Sequence, residues 1–249
     1  MRSRNTCQFG PDESALELEP LVPAVPRVYP SYKSFDGEEH SLNFLHRLAS
    51  DSRQALLFLA TTTETECPRL VKLASDGYGI DPHRMLAARG LAPALYGSAS
   101  VDGVPPAYVM EYLAPPFLYP PRKSWITLYR FAQKADAQAA TRYKAAIRTA
   151  LDYILRSMEE EGLVHGDLRS NNIMIEIDAD GQPTSSGTDG GVRLKVFDFD
   201  WGGVDGQVNH PIERNSALWW PAGVGQRIVV GHDREMVGTW FKTHPSAQE

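Results

Sequence analysis

Apolar and polar positions alternate between strand-like and helix-like periods along the chain. The runs "ALLFLATTT" and "PRLVKLAS" have strand length and are joined by the polar "ETEC", which predicts a hairpin. Ahead of them, "HSLNFLHRLAS" sets Leu42, Leu45 and Leu48/Ala49 at helical spacing and predicts a short helix. "DPHRMLAARG" predicts a second helix, with Pro82 in its first turn and Gly90 at its end. Two strands around a "VDG" turn are predicted within "LAPALYGSASVDGVPPAYVMEYL". The first half of the chain therefore reads as a sheet with one helix packed on it.

The proline-dense "APPFLYPPRKSW" breaks any regular element and marks a boundary. Beyond it, 135–161 carries the longest helical pattern, with Ile147, Leu151, Ile154, Leu155 and Met158 on one face and Gly162 as its stop. "IMIEID" and "VRLKVFDFDW", separated by a Gly/Ser/Asp-rich turn, predict a second hairpin. The domain reading is an extended, Pro- and Glu-rich arm over 1–30, an N-terminal lobe over 31–113 and a C-terminal lobe over 114–249.

Composition narrows the function classes. A formal charge of −6 does not suggest a nucleic-acid binder, and no run of Lys or Arg marks a basic face. Cys7 and Cys67 are the only cysteines and lack C-x-x-C spacing, which argues against a disulfide framework or structural zinc. No apolar run approaches a membrane span, and the basic "MRSRNTCQFG" has no apolar core behind it. The expectation is an intracellular, cytoplasmic protein with no membrane or nucleic-acid partner.

The candidate chemistry lies in "LVHGDLRSNNIMI", Leu163 to Ile175, and in the later "FDFD". Asp167 follows a predicted helix and precedes a predicted strand, where a scaffold can hold a loop residue at a cleft. Asn172 offers a neutral oxygen and Asp198 a carboxylate, a pairing suited to Mg²⁺, which takes one or two carboxylates plus substrate phosphates. Arg169 could steady a transferring phosphoryl group, and Lys72, in a predicted strand, could hold phosphates as a point charge. His165 reads as a residue that braces the loop rather than an acid–base catalyst. Trp201, Trp219 and Trp220 read as packing aromatics, and His210 and His232 as residues with no metal role.

These motifs carry a resemblance. "HGDLRSNN" resembles the protein-kinase catalytic loop H-R-D-x-x-x-x-N, "FDFD" the D-F-G metal motif and "LVKL" the strand lysine of V-A-I-K. The likeness runs from about Ala55 to Val237. In "HRMLAARGLAPALYG", "DFDWGG" and "WWPAG…GHDREM" it is closest to a divergent fungal protein-kinase-like group, while H-G-D is shared with aminoglycoside and choline kinases. The resemblance implies an α+β, two-lobed protein-kinase-like fold, with a small, mainly antiparallel β N-lobe and a mainly helical, shortened C-lobe. It implies ATP and Mg²⁺ as cofactors. Asp167 would accept the acceptor hydroxyl's proton, with Arg169 beside it; Asn172 and Asp198 would hold Mg²⁺; Lys72 would bind phosphate. Glu111 and Leu113, in "VMEYL", would present hinge backbone groups to adenine, and Asp233 would support the catalytic loop from the following helix.

Departures from the pattern leave alternatives open. No G-x-G-x-x-G precedes Lys72, Gly166 stands where regulated protein kinases carry Arg, and Asp200 stands at the glycine of D-F-G. Asp81 and His83 both compete as partner of Lys72. No A-P-E follows, and only 51 residues, 199–249, come after Asp198. The implied function is a kinase acting on protein Ser/Thr. The alternatives are a small-molecule phosphotransferase and a pseudokinase that binds or scaffolds.

Overall fold

The computed structural model describes residues 28–48, 56–63, 67–74, 77–116, 123–134, 137–187 and 191–243. The expected arm falls outside them except for its last three residues, as does most of the "ETEC" turn and the middle of the proline-dense stretch. In chain order the elements are β1 (Ser31–Ser34), β2 (Glu39–Ser41), β3 (Asn43–Leu48), β4 (Leu56–Thr61), β5 (Arg69–Leu73), α1 (Ile80–Ala88), β6 (Leu95–Ala99) and β7 (Ala107–Glu111). They continue with β8 (Lys123–Thr127), α2 (Leu128–Lys134), α3 (Ala137–Glu160), β9 (Leu163–Val164), a 3₁₀ turn (Ser170–Asn172), β10 (Ile173–Asp178), β11 (Leu194–Val196), β12 (Gly203–Val204) and α4 (Val230–Thr243).

Chain contacts divide these elements into two units, one of 1–73 with 97–109 and one of 74–96 with 110–249. A seven-stranded sheet, ordered β2-β1-β6-β7-β5-β4-β3, organises the first. The hairpin expected around "ETEC" forms, with Phe58 opposite Val71 and both buried. The helix expected over "HSLNFLHRLAS" does not. Asn43–Leu48 is strand β3, antiparallel to β4, with a register shift between Phe44 and His46. Phe44 meets Phe58 edge-on at 5.6 Å between ring centroids, while Leu45 is exposed. Three leucines spaced by three mimic a helix, but the unpaired edge of β4 and the Phe44–Phe58 contact favour the strand. The β1–β2 hairpin, turning at Gly37 with φ +96, was also not anticipated.

The second unit is built on α3. Its Ile147, Leu151, Ile154, Leu155 and Met158 are all buried, as the periodicity predicts, and Gly162 at φ +63 ends the last turn. Leu168, Ile173, Ile175, Leu194, Val196 and Phe199 complete the same core. The helix expected to pack on the first sheet, α1, instead adds Leu86 to this core. The second expected hairpin is β10–β11, pairing Ile173 with Val196. Strand β8, which begins at the end of the proline-dense stretch, extends it on the other side, with Ile175 opposite Ile126. No helix among the described residues is long and apolar enough to cross a membrane.

Candidate active site

The loop that carries Asp167 is fixed at both ends by strands. Val164 of β9 pairs with Gly203 of β12, and Asn172 closes the 3₁₀ turn that leads into β10. Between them Gly166 adopts φ +81, and a Cβ there would lie 2.8 Å from Ile228 Cδ1 and 2.9 Å from the Trp201 carbonyl oxygen. The departure from H-R-D therefore has a local cause: backbone conformation and packing leave no room for a side chain.

Asp233, buried in the first turn of α4, accepts the backbone N–H groups of His165 at 2.7 Å and Gly166 at 3.0 Å. Burial pushes its carboxyl up to about 6, against the lowering effect of those backbone hydrogen bonds. His165 is fully buried. The Asp167 N–H donates to its Nδ1 at 3.2 Å, so Nε2 carries the proton and donates to the Phe197 carbonyl at 3.0 Å. Both nitrogens are thus spent on backbone, in keeping with the bracing role read from the sequence. Phe199, also fully buried, stacks on His83 of α1 at 4.6 Å and tilts against His165 at 4.9 Å. One aromatic ring therefore joins α1, the Asp167 loop and the segment bearing Asp198.

Asp167 is 6% exposed. Asn172 Nδ2 donates to its Oδ2 at 2.8 Å and to its carbonyl at 3.0 Å. Oδ1 lies 3.0 Å from Arg169 Nε, but the N–H is not aimed along the contact, and neither atom has a hydrogen-bond partner among the described residues. Burial raises the Asp167 carboxyl to about 7; the Asp198 charge adds to this, while Arg169 and the Asn172 hydrogen bond oppose it. Asp198 has φ 69, the only left-handed non-glycine backbone among the described residues. Strain of that kind costs about 1–3 kcal/mol and collects at functional sites.

The donor atoms suit a hard divalent cation. The Asn172 nitrogen is committed to Asp167, which leaves its Oδ1 as a neutral oxygen of the kind such a cation takes. Among the described residues no group of three or more His, Cys, Asp or Glu stands at metal-binding spacing.

Asp167, Arg169, Asn172 and Asp198 thus belong to the larger unit, and the first three share direct contacts. Lys72 is buried in β5 of the smaller unit, across from Leu57. Glu111, at the end of β7, pairs its carboxylate with Lys195 and accepts the Ala94 N–H at 3.0 Å; Leu113 is buried. Within the larger unit His83 engages both ring nitrogens, Nδ1 with the Tyr78 hydroxyl at 2.7 Å and Nε2 with the Pro93 carbonyl at 2.8 Å. Asp81 is exposed.

Sequence reasoning missed the surroundings of Arg169. Its guanidinium lies 5.9 Å from the Trp220 ring centroid, and Arg214 lies 5.2 Å from the same ring. The reading of the tryptophans as packing aromatics holds for Trp201, which sits 5.1 Å from Trp220, and fails for Trp219, which is 51% exposed. The consecutive apolar residues Leu218 and Trp219 beside Arg214 were the signal available. His210 and His232 bond to each other at 3.2 Å, and burial, more than the charges of His232 and Arg214, lowers His210 to about 4.

No family model matches the chain, and no curated protein does. Solved kinase structures do. The kinase PK-1 of Cydia pomonella granulovirus is 16% identical, with a TM-score of 0.59, over 83% of this chain and 69% of that one. Vaccinia related kinase 3 is also 16% identical, with a TM-score of 0.41, over 69% of this chain and 50% of its own. The fold assignment rests on the first: the chain has an α+β, protein-kinase-like fold with a mainly antiparallel N-terminal sheet and a mainly helical C-terminal unit.

Proposed function

We propose that the protein is an ATP- and Mg²⁺-dependent kinase that transfers a γ-phosphoryl group to a hydroxyl acceptor. The observation that carries this reading is the buried Asp167 carboxylate. One of its oxygens is held by Asn172, the other has no hydrogen-bond partner among the described residues, and Asp198 lies close enough to raise its pKa.

Each role follows from the chemistry of the group. Asp167 Oδ1 orients the acceptor hydroxyl and takes its proton, a contribution of about 10²- to 10⁴-fold for a positioned base. Its carboxyl, held up to about 7 by burial, has a basicity suited to that transfer near neutral pH. Asn172 and Asp198 would hold the metal, which when bound would offset charge on the phosphates. Arg169 stabilises charge on the transferring group, and Lys72 positions the remaining phosphates. The backbone at Glu111 and Leu113 holds the adenine.

Protein Ser/Thr is the first acceptor class and a small amino alcohol or aminoglycoside the second. Incubation with γ-labelled ATP and Mg²⁺ against a Ser/Thr peptide array and an amino-alcohol panel separates them. Label on peptides is expected. A blank array with a labelled alcohol panel reverses the order, and label on neither returns the protein to a binding role.

A further inference from the structure

Two guanidinium groups share one aromatic ring beside the candidate base. Trp220 is held by its indole N–H, which donates to the Asn215 carbonyl at 2.9 Å. Arg214 donates one nitrogen to the Ala222 carbonyl at 2.7 Å, while its Nη1 is buried without a hydrogen-bond partner among the described residues. Arg169 Nε shares that condition, as does Asp167 Oδ1. A buried polar atom without a partner costs about 1–3 kcal/mol. Asp167 Oδ1 and Arg169 Nε face each other at 3.0 Å as an ion pair, so the donor that still calls for an anionic oxygen is Arg214 Nη1. Arg169, within 3.0 Å of Asp167, is placed for the transferring group. Arg214 Nη1 is left for a second anion.

The surface around Arg214 says what carries that anion. Between Ile212 and Val229 the sequence has two arginines and a single acid, Glu213. The same stretch exposes Ile212 at 83%, Trp219 at 51%, Val224 at 50%, Val229 at 40% and Leu218 at 38%. A run of apolar side chains exposed beside a catalytic centre is characteristic of a protein-binding surface rather than of a pocket for a small polar alcohol.

We infer that the segment Ile212–Val229 docks the acceptor as a polypeptide, and that Arg214, stacked on Trp220, selects an acidic residue next to the acceptor Ser or Thr. This rests on the kinase reading above and adds the specificity of the same site.

The test uses the full chain with Mg·ATP and three matched Ser/Thr peptide sets whose residues flanking the acceptor are acidic, neutral or basic. The wild type is expected to favour acidic over neutral peptides about 10- to 100-fold in kcat/KM, the range for a charge-assisted hydrogen bond. Arg214→Gln brings that ratio toward one, Arg214→Lys keeps part of it, and Arg214→Glu turns the preference toward basic peptides. A Mg·ATP-dependent rise in melting temperature retained by each variant shows that it is folded. Peptide phosphorylation by the wild type without acidic preference overturns the inference and leaves the kinase reading standing, as does transfer confined to small alcohols. Absence of any nucleotide-dependent stabilisation of the wild type removes both.

Discussion

Replacing Asp167 by Asn is expected to lower phosphoryl transfer about 10²- to 10⁴-fold, because the amide keeps the shape of the carboxylate but would take no proton from an acceptor. The same change alters stability in a way that identifies its cause. In the folded, metal-free chain Asp167 holds its proton up to about 7, whereas an unfolded aspartate releases it near its ordinary 3.8. Between those values the native state binds more protons than the unfolded state, so its stability falls as pH rises and levels off above about 7. Asp233, raised to about 6, contributes with the same sign over a narrower window. Asp167→Asn removes the larger of the two slopes and leaves the smaller. Melting temperatures from pH 4 to 8 in metal-free buffer check this. A variant that transfers phosphate at the wild-type rate contradicts the base assignment, and an unchanged pH slope contradicts the buried, proton-holding carboxyl.

Phe199→Ala is expected to cost about 3–5 kcal/mol, the range for deleting a buried aromatic side chain. For a chain of this length that is a fall of roughly 6–20 °C in melting temperature. The ring is fully buried and packs against His83 and His165, so its removal opens a cavity where three segments meet. Asp198 precedes it directly and sits in a left-handed backbone conformation that its neighbours must hold. Loss of catalytic activity should therefore accompany loss of stability. Phe199→Leu, which refills part of the volume, should recover some of both. A change of less than about 1 kcal/mol, well below that range, shows that the ring does not anchor the site.

Much of the site was legible because its parts lie close in sequence. Asp167 and Asn172 belong to one loop, and β10–β11 brings Asp198 toward them by an ordinary hairpin. The helix α3 was legible because five core residues recur with its period. The β3 strand was not, since leucines spaced by three outweigh the weaker alternation and nothing local reveals that β4 needs a partner. The support of the loop by Asp233 came from resemblance alone, because a carboxylate that caps two distant backbone N–H groups leaves no spacing to read. The Arg169–Trp220–Arg214 stack was invisible for the same reason: it depends on where the segment after β12 returns to the loop. Gly166 was legible only as a departure from H-R-D, because its φ and the nearby Trp201 carbonyl leave no trace in the sequence.

Thermal unfolding tests most directly whether this chain binds Mg·ATP through Asp198. At about 100 times its dissociation constant the nucleotide should stabilise the wild type by roughly 2.7 kcal/mol. That corresponds to a rise on the order of 5–10 °C, dependent on Mg²⁺ and lost in Asp198→Asn. A wild-type protein whose melting temperature does not respond to Mg·ATP at any concentration contradicts the account.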